Sequence, residues 1–463
     1  MTEKKQLGSN LFQYLATFSC ALGLVSYGIN TTWTSPFLPY LTSNSSIIPI
    51  TNEEGSWLVT APLIGRMFGA IAGGLVADKF GRKWSILYMA PVVMTCCIAI
   101  AYIRNIWYLC LLRSLIGIAD GASYTIVPMY IGEISSPEIR GFLSSFLSLS
   151  FIIGTLIINI IGSFWDIYTC SMISALIPAV HFLIFIFMPE SPYWYLKVNR
   201  YERAEKAFKI FRGTSEISKQ FEIMKTSVEE DKAATKSSFK ELFTVRSNRK
   251  ASLICLLVTC LQRATAKAPL IFYTKTIFEQ TGSTISSTVS SISFCFVELI
   301  VAAISAYFII DKFGKKKLTV ISVIGSIIAL LTIGSYFLLK DFNSSLINSL
   351  NYLPITSLVT YNIFNSIAIS FVPFCYASEL FPTSVKSNAL TLVELTMVFT
   401  GMITAKIFQT TGDYFGSLTI PFFGFSAFSV LFLILVIKIV PETKGYTLEE
   451  IQLFLKGNKV VRL

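Results

Sequence analysis

Apolar stretches of helix-spanning length recur from one end of the chain to the other. They lie near 11 to 33, 56 to 77, 84 to 103, 107 to 132, 142 to 165 and 170 to 188, and again near 251 to 275, 285 to 310, 317 to 339, 350 to 378, 388 to 410 and 418 to 440. A helix needs about 20 residues to cross about 30 Å of hydrocarbon, a length each stretch approaches or exceeds. The pattern predicts an all-α integral membrane protein of twelve transmembrane helices in two six-helix bundles, 11–188 and 251–440. Polar segments complete the division: an N-terminus at 1–10, a linker at 189–250 and a tail at 441–463.

The linker is charged and amphipathic in pieces, as in Tyr201-Glu202-Arg203-Ala204-Glu205-Lys206-Ala207-Phe208. Two organisations fit this pattern, a set of short cytoplasmic helices or a disordered connection. Apolar residues at Leu196, Ala204, Phe208, Phe211, Leu242 and Phe243 favour the helices.

Composition narrows the function classes. Of 463 residues 53% are hydrophobic and 14% charged, so the aqueous part is small and a soluble multidomain enzyme is excluded. The net charge of +11 sits in short blocks between apolar runs, not along one face, which argues against nucleic acid as a partner. Those blocks set the topology instead. Lys79, Arg82, Lys83, Arg140, the linker, Lys312 and Lys315 to Lys317, Lys386 and the tail all fall on one side, which is predicted to be cytoplasmic along with both termini. Two connections on the other side carry glycosylation sequons at Asn44 and Asn343. Eight of nine cysteines lie in apolar segments and Cys170 at a boundary, with no disulfide framework or metal spacing. The first span follows a polar N-terminus without a cleavage signal and is read as retained. Neither a nucleophile–base pair nor a phosphate-cradling loop is present, and no cofactor is expected.

The two halves echo each other. Asp78-Lys79-Phe80-Gly81-Arg82-Lys83 after the second span matches Asp311-Lys312-Phe313-Gly314-Lys315-Lys316 after the eighth. Tyr130 and Glu133 precede Arg140 as Tyr376 and Glu379 precede Lys386, at the same intervals. Pro189-Glu190-Ser191-Pro192 closes the first half and Pro441-Glu442-Thr443-Lys444-Gly445 the second. Three echoes in one order imply duplication of a six-helix unit. Asp78, Arg82, Glu133, Arg140, Glu190, Asp311, Lys315, Glu379, Lys386 and Glu442 then become candidates for a cytoplasmic latch that pairs across the halves when that side is shut. The plainer alternative is that these charges only orient the helices.

In these motifs the whole chain resembles the sugar porter branch of the major facilitator superfamily. Arg113 with Gly117 and Gly121, and Glu379-Leu380-Phe381-Pro382, add to the match. Trp33-Thr34-Ser35-Pro36 and Thr404-Ala405-Lys406 resemble the facilitated trehalose transporters within that branch. The resemblance implies the major facilitator fold, alternating access around a midplane site, a sugar such as trehalose or a hexose as substrate, and a plasma-membrane protein working as a monomer. It implies sugar contacts at Gln262, Thr265, Tyr273, Asn365 and Phe374, with Ser148, Asn159 and Asn30 as secondary candidates.

The chain departs from that pattern in places. The seventh span reads Gln262-Arg263-Ala264-Thr265-Ala266-Lys267-Ala268, retaining only the first glutamine of the usual motif, and Ser148 and Leu299 stand where the branch has amides. Asn30 aligns with an aspartate of proton-coupled relatives, and an amide cycles no proton, which favours facilitated diffusion; the alternative is that Asp120, Glu298 or Glu394 takes the proton-carrying role. Charges at Arg66, Asp120, Arg263, Lys267, Glu298, Glu394 and Lys406 fall inside predicted spans. They signal either a cavity for a more polar or charged solute or buried pairs and snorkelling side chains. A sugar sensor without transport is a further alternative. His181 is read as structural.

Overall fold

The computed structural model describes residues 10–213, 221–222, 224–226, 228–229, 239–305, 314–342, 345–381, 385–443, 450 and 455. Among the described residues, eleven helical segments are long and apolar enough to cross a membrane. The first to sixth spans are Leu11–Leu41, Asn52–Phe80, Arg82–Tyr102, Ile106–Ile134, Ile139–Phe164 and Ile167–Phe185. The eighth to twelfth are Ser287–Ile304, Lys315–Asp341, Leu353–Leu380, Asn388–Phe415 and Thr419–Ile439. No strand occurs among the described residues.

The seventh span differs from the continuous stretch expected at 251 to 275. It is built from three helices, Arg246–Ala264, Lys267–Phe272 and Thr274–Thr281. The break falls at Ala266, held in the left-handed region at φ 65°. Four basic residues, Arg246, Arg249, Lys250 and Arg263, also lower the apolar character of its first segment. The tenth span is likewise divided, into Leu353–Ile367 and Val372–Leu380. Broken helices survive at membrane depth only where protein or a polar cavity satisfies the freed backbone groups. The first span runs past its expected end at 33, because a second helix, Thr34–Leu41, continues it. Pro36 falls in the first turn of that helix, where a missing N–H interrupts no bond.

Small residues let the spans approach. A Cβ at Gly65 or Gly69 would run into the Ser114 or Ile118 carbonyl of the fourth span, and one at Gly28 into the Phe151 carbonyl of the fifth. Backbone-to-backbone contact of this kind supplies the dispersion energy that holds helices together in lipid.

The described residues pack as two compact units. One comprises Met1–Thr31, Ile64–Thr155 and Trp165–Lys236; the other comprises Thr32–Leu63, Leu156–Phe164 and Ser237–Leu463. The linker carries the helices Pro192–Lys197, Tyr201–Arg212 and Glu241–Thr244. Leu196, Ala204 and Phe208 form a small core with Phe221 and Val228, Phe211 joins the core of the first unit, and Leu242 that of the second. Phe243 is exposed, unlike the other apolar positions that mark the linker as helical.

Candidate functional site

In the first unit the ends of three spans converge on Arg82. Its guanidinium lies 3.0 Å from Glu133 and 3.2 Å from Asp78, and donates to the Ala77 carbonyl at 3.2 Å. Asp78 also takes Lys197 at 2.7 Å, and its carbonyl takes Trp194 Nε1 at 3.0 Å. Glu190 accepts the backbone N–H groups of Arg82 and Lys83 at 3.0 Å and that of Ser191 at 2.8 Å. The Arg82 and Lys83 amides are free donors at the N-terminus of the third span, where the helix dipole also favours an anion. Burial nevertheless raises the Glu190 pKa, against the lowering effect of the Lys83 and Ser191 amides and Arg82. Ser191 Oγ donates to Glu133, and Tyr130 closes the corner by donating to the Pro189 carbonyl at 2.7 Å.

The second unit repeats several of these contacts at matching positions. Lys315 pairs with Glu379 at 2.5 Å. Glu442 takes the Lys316 and Thr443 N–H groups at 3.1 Å. Tyr376 donates to the Pro441 carbonyl at 3.1 Å. Lys83 Nζ reaches the Ile186 carbonyl at 2.7 Å, and Lys316 Nζ reaches the Ile437 carbonyl at 2.8 Å. All these partners lie within their own unit. Arg140 donates to the Ser135 carbonyl at 3.4 Å, and Lys386 opens the helix Lys386–Phe415. Asp311 and Asn343 lie outside the described residues, whereas Asn44 is exposed.

A polar centre in the second unit joins the breaks of the seventh and tenth spans. Gln262 Nε2 donates to the Ile369 carbonyl at 3.0 Å and the Ser370 carbonyl at 3.2 Å, capping the broken tenth span. Asn365 Nδ2 donates to Thr265 Oγ1 and to the Tyr361 hydroxyl, both at 3.1 Å, and Ser370 Oγ donates to Asn365 Oδ1 at 3.2 Å. Gln262 Oε1 is buried without a hydrogen-bond partner among the described residues. Lys267 pairs with Glu298 at 2.6 Å. Asn159 accepts Ser35 Oγ at 3.0 Å and donates to the Cys295 sulfur at 3.5 Å.

The other predicted contacts are placed differently. Tyr273 is buried and stacks on Phe408, with ring centroids 6.0 Å apart. Phe374 packs against the core of its unit. Ser148 is exposed and donates back to the Ser144 carbonyl at 3.4 Å. Asn30 lies in the first unit, where its carbonyl takes Arg113 at 2.8 Å. Asp120 faces Arg66, Arg113 and Asn30 there, and the Arg66 guanidinium stacks over Tyr27 at 4.9 Å and Tyr124 at 5.0 Å. Lys406 donates to Ser56 Oγ and sits 5.4 Å over Trp57. His181 is buried against Ser19 and stacked on Phe185.

Ser191, Trp194, Lys197, Tyr361 and Ser370 join these clusters although the sequence motifs do not mark them as site residues. The i, i+4 spacing of Tyr361 and Asn365 places both on one helical face and is the one local signal that points to such a residue. Among the described residues no group of histidine, cysteine, aspartate and glutamate is arranged to hold a metal.

The model of a family described as sugar (and other) transporter matches residues 16–455. The facilitated trehalose transporter Tret1 of Bombyx mori is 31% identical over 455 residues, covering 97% of this chain and 88% of its own length. Tret1 of Drosophila willistoni is 30% identical over 448 residues, covering 96% of this chain and 51% of its own, so the chain spans about half the length of that relative. The xylose transporter XylE from E. coli, in its inward open conformation, matches with a TM-score of 0.80 at 19% identity over 96% of this chain and 99% of its own. The proton:xylose symporter XylE bound to 6-bromo-6-deoxy-D-glucose matches with a TM-score of 0.76 at 20% identity, over 96% and 100%. At such identities the structural likeness is one of fold.

Proposed function

Because the chain belongs to the family of sugar (and other) transporters, a family of carriers and not of enzymes, we propose that it moves a neutral sugar, trehalose or a hexose, by alternating access and facilitated diffusion. The observation that carries this reading is the junction of the two broken spans. Gln262, Thr265 and Asn365 bring amide and hydroxyl groups together where backbone polarity is already concentrated. Such groups suit ring hydroxyls, which both donate and accept.

Two further features support a neutral solute and uniport. The positive charge of Lys267 is met by Glu298 at 2.6 Å, which weakens the case for an anionic substrate. Asn30 is an amide and carries no exchangeable charge. The bundles 11–188 and 251–440 then act as the two moving bodies, with the clusters around Arg82 and Lys315 tying the helix ends of each. The working unit is a monomer in the plasma membrane, with both termini in the cytoplasm, as the lysine and arginine asymmetry favours.

Trans-acceleration tests the proposal. Vesicles holding the purified chain and loaded with unlabelled trehalose or glucose should take up the labelled sugar faster than empty ones. Absence of any such effect across a panel of neutral sugars overturns it.

A further inference from the structure

Lys267 and Glu298 form an ion pair at 2.6 Å with side chains only 8% and 12% exposed. The lysine opens the helix Lys267–Phe272, directly beyond the break of the seventh span, and the glutamate lies on the eighth. A buried ion pair contributes little net stability compared with apolar residues of similar volume, because desolvation offsets the attraction. Stability alone therefore gives a weak reason for two opposite charges at this depth.

The neighbours supply a better reason. Glu298 stands three residues from Cys295, whose sulfur takes the Asn159 amide. It also lies within electrostatic reach of Tyr361, the hydroxyl that accepts from Asn365. Five residues before Lys267, Gln262 leaves its buried Oε1 without a partner among the described residues. The pair thus sits near amide and hydroxyl groups, and among the described residues one of them, Gln262, keeps an unpartnered buried acceptor. A carboxylate accepts about four hydrogen bonds and an ammonium donates three, and the contact between them uses one of each. Together they offer fixed acceptors and donors side by side with no net charge. That combination suits vicinal hydroxyls of a neutral carbohydrate and gives no advantage to an ion.

We propose that Glu298, held by Lys267, is a specificity-determining residue that reads the hydroxyl pattern of the carried sugar. The proposal rests on the carrier reading above and adds to it the group that selects among sugars. A site built to bond a hydroxyl rejects the analogue lacking it, because its own polar group is left unpaired.

The test measures entry of labelled glucose and trehalose into vesicles, with single-deoxy sugars as competitors, for the full chain and two double variants. Lys267→Met with Glu298→Leu removes both charges at similar volume and leaves no orphaned ion. The expected result is an unchanged melting temperature, a rise in KM of about tenfold or more, as loss of one charge-assisted hydrogen bond implies, and a flattened ranking of deoxy competitors. Lys267→Glu with Glu298→Lys keeps the pair but exchanges the positions of donor and acceptor, and should reorder that ranking. If both variants keep the wild-type ranking, the pair is structural and the proposal is overturned while sugar transport stands. If the wild-type chain moves no sugar, both the proposal and the function beneath it fail.

Discussion

Glu190 accepts the backbone N–H of Arg82 at 3.0 Å, so a carboxylate from beyond the sixth span caps the N-terminus of the third. Gly81 immediately precedes that terminus with φ at 98°, and a Cβ there would enter the Glu190 carboxylate. Glu442 repeats the relationship at Lys316, and a Cβ at Gly314 would likewise meet it. Gly314 has an ordinary φ of −65°, however.

The two glycines should therefore differ. Gly81→Ala meets both a steric clash and a left-handed backbone, and is expected to destabilise by about 1 to 3 kcal/mol. Gly314→Ala meets the clash alone and should cost less. Melting of the purified variants in detergent checks the order, and an equal or reversed loss would contradict it.

Glu190 should also leave a signature in pH. Its pKa is raised in the folded chain, so the native state holds the proton more tightly than the unfolded state does. Its contribution to stability is thus greatest below the ordinary value of 4.5 and is lost as pH rises through the folded value. Arg82, Lys83, Glu133 and the Tyr130 and Tyr195 hydroxyls face it. The melting difference between wild type and Glu190→Gln should shrink or change sign on going from acid to neutral pH. A difference that grows in that direction would show that the three backbone donors outweigh burial.

Arginine and lysine hold equivalent places in the two clusters but bring different donor geometries. Arg82 reaches Asp78, Glu133 and the Ala77 carbonyl together, a fan of donors that an ammonium does not reproduce. Among the described residues Lys315 pairs with Glu379, and Asp311, the counterpart of Asp78, lies outside them. Arg82→Lys should lower sugar flux several-fold and destabilise by about 1 to 3 kcal/mol, while Lys315→Arg should be mild. Parallel flux and melting measurements decide; matched effects at the two positions would refute the asymmetry.

At the junction of the seventh and tenth spans, Asn365→Ala removes the bridge between Thr265 and Tyr361. KM for the carried sugar should rise about tenfold, in line with roughly 1.4 kcal/mol for lost and orphaned hydrogen bonds. Ser148→Ala, an exposed position that bonds back into its own helix, should change KM little. Initial-rate kinetics on both variants provide the check.

Hydrophobic runs announced the spans because a bilayer imposes length and polarity on each helix separately, a constraint local to the chain. The duplicated Asp-Lys-Phe-Gly blocks announced the repeat for the same reason: each is a contiguous string whose spacing survives without knowledge of its neighbours. The seventh span was harder, since Arg263 and Lys267 dilute its apolar signal and the bend at Ala266 occurs without the glycine that normally marks one. Partners were harder still. That Glu190 would cap the third span, that Lys267 would find Glu298 rather than another acid, and that Tyr273 would turn into the core against Phe408 all depend on contacts between residues far apart in the chain. Such choices are made by packing, where helix rotation and depth bring one pair within 3 Å and leave a chemically equivalent pair apart.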